Sequence, residues 1–197
     1  MINYQNIKLR YEGRTIFDDF SLEINRNEHI CLAGPSGRGK TTLLKMLPAL
    51  VLPDSGEVVI NNIRLNEQNV RNIRKLITWI PQNINLPVNT AAELMALLNL
   101  NDKKTDISVN INRLGLDDSY FEKHFADISG GEKQRIVIAV SLAKDKPIIV
   151  MDEPTSALDS RSIELLCEII AEQNERTIIS ASHNEQWLKQ SPKVLRL

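Results

Sequence analysis

At 197 residues, with 42% hydrophobic and 25% charged, the chain is long enough for one sizeable core and a smaller subdomain packed on it. Its 24 basic and 25 acidic residues leave a net charge of −1, which argues against the clustered basic surface of a nucleic-acid-binding protein. A phosphate ligand would have to be held locally, and no nucleic-acid partner is expected.

The amino terminus, "MINYQNIKLR", has no apolar run of the secretion-signal kind, and "IVIAV" (Ile136 to Val140) and "IIVM" (Ile148 to Met151) are far too short to span a membrane. The sequence therefore predicts a cytosolic chain. Ile7, Leu9 and Tyr11, then Phe20, Leu22 and Ile24, alternate with polar residues and predict two strands joined by the turn "EGRT". Cys31 lies in "HICLAG" (His29 to Gly34), a continuous apolar run that reads as a buried strand ending in glycine. With the distant Cys167 it reads as one of two buried thiols rather than as half of a disulfide or part of a metal site.

"KTTLLKML" has helical character, "PDSGEVVINN" reads as a turn and a strand, and "KLITWIPQ" as a strand closed by Pro81. From about residue 88 to 128 the pattern turns helical and polar, with Thr90 and Glu93 spaced as a capping box; this predicts a small helical subdomain inserted in the core. Beyond it come a helix in "SGGEKQRIVIAVSLAKD", a strand in "KPIIVMDEP", a helix in "RSIELLCEIIAEQ", a strand in "RTIISASH" and a last strand in "KVLRL". Helices alternating with buried strands predict one α/β domain over residues 1–197, with a mostly parallel sheet and an amino-terminal antiparallel β subdomain.

Chemistry concentrates in three stretches. "GPSGRGKT" (Gly34, Pro35, Ser36, Gly37, Arg38, Gly39, Lys40, Thr41), followed by Thr42, fits G-x-x-x-x-G-K-[ST] between a buried strand and a helix, the setting of a P-loop NTPase core. Its glycines let backbone N–H groups turn toward phosphate oxygens, Lys40 reaches the β- and γ-phosphates, and the Thr41 hydroxyl suits Mg²⁺. "PIIVMDEP" ends a strand in two adjacent carboxylates that point to opposite faces: Asp152 suits the Mg²⁺ shell and Glu153 the polarising of an attacking water. In "ISGGEKQR", Ser129 and Glu132 form a capping box, yet a helix start needs no pair of glycines. Gly130 and Gly131 therefore pose two readings, a plain helix cap or a bare surface meant for close approach.

In order, "GPSGRGKT", Gln82 in "WIPQ", "ISGGEKQR", "PIIVMDEP", "SALD" (Ser156 to Asp159) and His183 in "SASH" resemble the nucleotide-binding subunit of an ABC (ATP-binding cassette) transporter. The resemblance runs from Tyr11 to the last strand. It implies that Tyr11 stacks on adenine, that Gln82 contacts Mg²⁺ or the water, and that His183 touches the γ-phosphate. It further implies that Ser129, Gly130 and Gly131 meet an ATP held by a second nucleotide-binding subunit, and that Ser156 and Asp159 contact that subunit. ATP and Mg²⁺ are the implied cofactors. The implied partners are a second copy of the chain and a transmembrane permease at the inner face of the cell membrane. Two departures from the usual LSGGQ stand at Ile128 and Glu132, and the short stretch after His183 leaves no room for a carboxy-terminal regulatory domain. A soluble ABC ATPase acting on a macromolecular partner, and an ATP-gated module without turnover, are the rival readings.

Overall fold

Strands β1 (Ile2–Tyr11) and β2 (Arg14–Ile24) pair antiparallel across a two-residue turn, Glu12 and Gly13, both at positive φ as a tight hairpin requires. β3 (His29–Ala33) leaves this layer, and a glycine-rich turn carries the chain into α1 (Lys40–Met46). β4 (Ser55–Ile60) returns to the free side of β1 and turns into the edge strand β5 (Ile63–Arg64). The amino-terminal sheet thus has the order β2-β1-β4-β5 and is antiparallel throughout. These elements come from a computed structural model that describes residues 1–197.

α2 (Val70–Leu76) leads into β6 (Ile77–Ile80), and the helical insert follows. It holds α3 (Ala91–Leu97), α4 (Lys104–Arg113) and short 3₁₀ turns at Asn101–Lys103 and Asp118–Phe121. Its two ends meet where the Phe125 N–H donates to the Asn89 carbonyl at 2.7 Å. The remaining elements are α5 (Gly130–Leu142), β7 (Ile148–Asp152), α6 (Ser160–Ala171), β8 (Thr177–Ala181), α7 (Glu185–Gln190) and β9 (Lys193–Arg196). The second sheet runs β6-β7-β8-β3-β9 with every neighbouring pair parallel, where the sequence predicts a mostly parallel one.

Burial on both faces explains the unbroken apolar runs of these strands. Along β7, Ile148 and Val150 face a core shared with α1 and the antiparallel sheet, whereas Ile149 and Met151 face a second core under α5, α6 and the insert. Tyr4 crosses from the first sheet into the first core, its hydroxyl donating to the Leu43 carbonyl at 3.0 Å. α5 is buried at every position from Ile136 to Val140 because the sheet lies on one side and the insert on the other. That enclosure is why "IVIAV", strand-like in composition, is helical.

Four details depart from the sequence reading. Lys75 and Leu76 close α2 rather than open β6: Ile73 is buried, and Lys146 Nζ donates to the carbonyls of Arg74 and Ile77 at the helix end. β5 and α7 are additional; α7 is fixed by Asn184 capping the Trp187 N–H at 3.0 Å and by Trp187 Nε1 donating to Ser180 Oγ at 3.0 Å. The box at Thr90 is only half formed: Thr90 Oγ1 accepts from the Glu93 N–H, but the Glu93 carboxylate takes the Asn89 N–H instead of that of Thr90. Cys31 is buried as expected, whereas Cys167 is only half-buried, and both are free thiols. No helix is long and apolar enough to cross a membrane.

The first sheet contains a sharp steric constraint. Gly56, at φ +94°, lies so close to β1 that a Cβ there would sit 2.5 Å from the carbonyl oxygens of Gln5 and Asn6. Gly13, at φ +78°, faces open space. Gly13→Ala should cost roughly 1 kcal/mol of backbone strain. Gly56→Ala should cost about 2–3 kcal/mol, because two backbone carbonyls must move as well. Urea unfolding of the two variants checks the difference; equal losses would mean that the approach to β1 carries no strain.

Candidate functional site

Between β3 and α1 the chain makes the arch that the sequence marks for phosphate. Gly39, at φ +88°, has no room for a side chain, since a Cβ would lie 2.7 Å from both Ile16 Cγ2 and Phe17 Cζ of β2. Gly37, at φ +82°, faces open space, where a side chain would fill the cradle itself. Pro35, Ser36 and Arg38 are exposed along the rim, Gly34 and Thr42 are half-buried, and Lys40 is buried beneath the arch. Lys40 Nζ donates to the carbonyls of Gly34 at 2.7 Å and Pro35 at 3.0 Å, so the ammonium group closes the loop from inside.

Thr41 turns the other way. Its hydroxyl donates to Asp152 Oδ1 at 2.8 Å, joining the start of α1 to the end of β7. Burial raises the pKa of the Asp152 carboxyl, opposed by the Thr41 hydrogen bond, and the neighbouring Glu153 raises it further. At Glu153 the chain leaves the strand with φ at +48°, uncommon for a residue with a side chain, and its N–H donates to Ala181 O at 2.9 Å. Glu153 Oε1 accepts from His183 Nδ1 at 3.1 Å, whereas Oε2 is buried without a partner. His183 itself is exposed at the end of β8.

Gln82 is exposed and makes no side-chain hydrogen bond; because Ile80 pairs with Met151, it leaves β6 at the same end of the sheet as Asp152 and Glu153. The loops after β3, β6, β7 and β8 therefore converge on the carboxyl edge of the parallel sheet, where open α/β sheets bind ligands. Tyr11 is 65% exposed at the hairpin end of β1, so it is not a core strand residue. It belongs to the hairpin whose Phe17 packs on Gly39.

No hydrogen bond joins the stretch Ser129 to Gly131 to the phosphate loop; it packs instead on the segment after β7. Ser129 and Glu132 form both bonds of the capping box, Oγ accepting the Glu132 N–H at 3.2 Å and Oε2 the Ser129 N–H at 2.7 Å. A Cβ on Gly131 would lie 2.6 Å from Ala157 O, so this glycine is bare for a contact inside its own chain. Gly130 meets nothing closer than Ala157 Cβ at 4.0 Å and is exposed. The two glycines answer to different neighbours.

The sequence reading missed Gln134. It is 2% exposed, and its amide donates to the carbonyls of Pro154 at 2.6 Å and Glu153 at 3.4 Å, while its Oε1 accepts the Ala157 N–H at 3.2 Å. The available signal was an amide at the head of an apolar helix, which must find partners when buried.

This arrangement fits a magnesium nucleotide. Thr41 Oγ1 and Asp152 Oδ1 are adjacent hard oxygens, and no group of three or more His, Cys, Asp or Glu side chains encloses a metal. A site of that kind suits Mg²⁺, which is commonly held by one or two protein oxygens together with substrate phosphates and water.

The family model described as ABC transporter matches residues 17–156. A putative ABC transporter ATP-binding protein of Clostridium acetobutylicum is 30% identical across 96% of this chain and 85% of its own. A putative export ATP-binding/permease protein of Rickettsia felis is 32% identical over 98% of the chain, which spans only 36% of that longer relative. Among solved structures, the dimeric MJ0796, a bacterial ABC transporter cassette, superposes with a TM-score of 0.89 at 27% identity, covering 100% of this chain and 94% of that one. A dimeric post-hydrolysis state of the same cassette bound to ADP and Pi gives 0.85 over the same shares, again at 27% identity.

The raised pKa of Asp152 gives a signed expectation for the ligand-free chain. The unfolded carboxyl ionises near its ordinary 3.8 and the folded one above it, so ionisation favours unfolding as the pH rises between the two. Asp152→Asn should therefore be more stable than the parent at neutral pH, with the gap closing as the pH falls through the folded value toward 3.8 and absent well below it. Denaturant midpoints measured across that range, without nucleotide or metal, test it; a variant less stable at neutral pH would contradict the dominance of burial.

Proposed function

The chain belongs to the ABC transporter family, and on that premise we propose that it is an Mg²⁺-dependent ATPase whose cassettes pair and drive a separate transmembrane permease. The observation that carries the reading is Glu153: one carboxylate oxygen is tied to His183 and the other is buried without a partner, one residue beyond the Thr41–Asp152 pair.

In this reading the arch from Gly34 to Thr42 wraps the phosphates, and Lys40 exchanges its carbonyl partners for β- and γ-phosphate oxygens. Tyr11 covers the adenine. Thr41, Asp152 and Gln82 would hold Mg²⁺, which would supply positive charge beside the phosphates. Glu153 accepts a proton from the water as its oxygen bonds the γ-phosphorus and the bond to the ADP oxygen breaks. His183 holds the Glu153 carboxylate and meets the γ-phosphate. Ser129, Gly130 and Gly131 offer the amino end of α5 to the nucleotide of a second copy, where a helix dipole favours an anion.

A permease partner is supported by the relative from Rickettsia felis, whose name joins ATP-binding and permease functions. It would hold the cassette at the inner face of the cell membrane. A module that binds ATP without turnover would have no use for the glutamate–histidine pair, and the short helical insert offers no coiled coil of the kind that reaches nucleic acid.

Glu153→Gln should keep ATP binding and lower phosphate release by roughly 10²–10⁴-fold, since an amide holds water but is a poor base. With ATP and Mg²⁺ present, a dimer should accumulate on a sizing column. Normal hydrolysis would move the basic role elsewhere, and absence of nucleotide binding would remove the reading.

The two glycines give a separate test. Gly131→Ala should destabilise the monomer, because Ala157 O occupies the space. Gly130→Asp should hold or raise monomer stability by about 0.3–1 kcal/mol, an acid in a first helical turn being favourable. The same charge should abolish the ATP-driven dimer. A Gly130→Asp chain that dimerises and hydrolyses normally would leave this stretch as a helix cap and nothing more.

A further inference from the structure

The sequence carries one unresolved oddity at this helix: Glu132 adds a negative charge to the turn that, in the function proposed above, must receive a phosphate. Free to rotate, its carboxylate would compete with that phosphate for the first N–H groups of α5 and repel it. In the folded chain neither oxygen is free. Oε2 accepts the Ser129 N–H at 2.7 Å, and Oε1 accepts the hydroxyl of Tyr120, with Arg135 also adding a favourable charge. Together these bonds, that from Tyr120 foremost, pull the Glu132 pKa down to about 2, so the group is an anion held in place.

Tyr120 belongs to the helical insert. It lies in the 3₁₀ turn Asp118–Phe121, anchored by buried Phe121, with Lys123 Nζ 3.6 Å from the centre of its ring. Asp117 caps that turn, its Oδ1 accepting the Ser119 N–H at 2.8 Å. The capping box alone fixes one carboxylate oxygen. The second bond reaches from a different subdomain and fixes the other oxygen.

From this geometry we infer that Tyr120 is a positioning residue for the signature stretch: its hydroxyl latches the Glu132 carboxylate away from the phosphate face of α5. The inference rests on the proposed pairing of cassettes around ATP. The latch also makes the phosphate-binding quality of that helix depend on where the insert sits, since displacing the 3₁₀ turn withdraws the hydroxyl and releases the charge.

The test is a double-mutant cycle on the whole chain, with ATP and Mg²⁺. Tyr120→Phe removes the hydroxyl and keeps the ring. It should raise the ATP concentration for half-maximal phosphate release about fivefold, the size of a partly solvated like-charge contact. The maximal rate should change less, and the effect should shrink as salt is added. In a Glu132→Gln background, where no charge is released, the same substitution should change the half-saturating concentration less than twofold. ATP-driven dimerisation of the Glu153→Gln chain, with and without Tyr120→Phe, gives an independent readout and should show the same shift. Tyr120→Phe without effect would overturn the inference. So would an effect of equal size with Gln at position 132, which would mean that the hydroxyl serves only packing. A parent chain that neither binds nor hydrolyses ATP would remove the proposed function first, an outcome distinct from either of these.

Discussion

The carboxyl edge of the molecule depends on how the chain leaves β7. Asp152 is still a strand residue, pointing to Thr41, and the next residue turns through a left-handed conformation that sends the Glu153 side chain toward His183. Such a backbone costs of order 1–3 kcal/mol and persists only where neighbours over-determine it. Here they do: Ala181 O accepts the Glu153 N–H, and the Gln134 amide donates to the carbonyls of Glu153 and Pro154. Without that bend, Glu153 as a further strand residue would project to the face opposite Asp152; the turn brings it to His183 instead. The strained residue and the buried amide are two halves of one device, and α5 supplies the second half.

Much of this was legible in the sequence because its causes are local. A buried strand, a glycine turn and a helix fit "GPSGRGKT" with little help from the rest of the fold, and Ser129 with Glu132 specifies its own box. The misses have tertiary causes. Lys75 and Leu76 read as strand by composition, but Lys146, far along the chain, caps them into a helix. Thr90 and Glu93 have the spacing of a box, yet the N–H that Glu93 reaches belongs to Asn89. Gln134 looked like an ordinary helix residue because its partners lie beyond β7, and no periodicity announces them. Gly131 left two readings open, a plain cap or a close approach, and the folded chain shows a close approach by its own Ala157.

Two cores divided by one sheet give the site its rigidity. Odd and even residues of β7 are buried in different clusters, so neither face can relax without disturbing the other. The loops at the carboxyl edge are thus presented from a stiff platform, while the hairpin bearing Tyr11 and the helical insert bearing Tyr120 approach from opposite cores. In the proposed function, groups that meet a nucleotide on several sides would need that separation of supports.

The closure of the insert by the Asn89–Phe125 hydrogen bond has a consequence for chain entropy and variation. To the parallel sheet, the whole helical segment amounts to a loop whose ends are already together. Lengthening such a loop is thermodynamically mild, on the order of 0.6 kcal/mol for each doubling in residues. Helices could therefore be added, trimmed or exchanged within it while β6 and α5 keep their places. The contacts that constrain the segment are those with α5 and the Arg113–Glu172 pair beyond α6, not its length, so its outer surface can diverge freely as the edge of the sheet stays fixed.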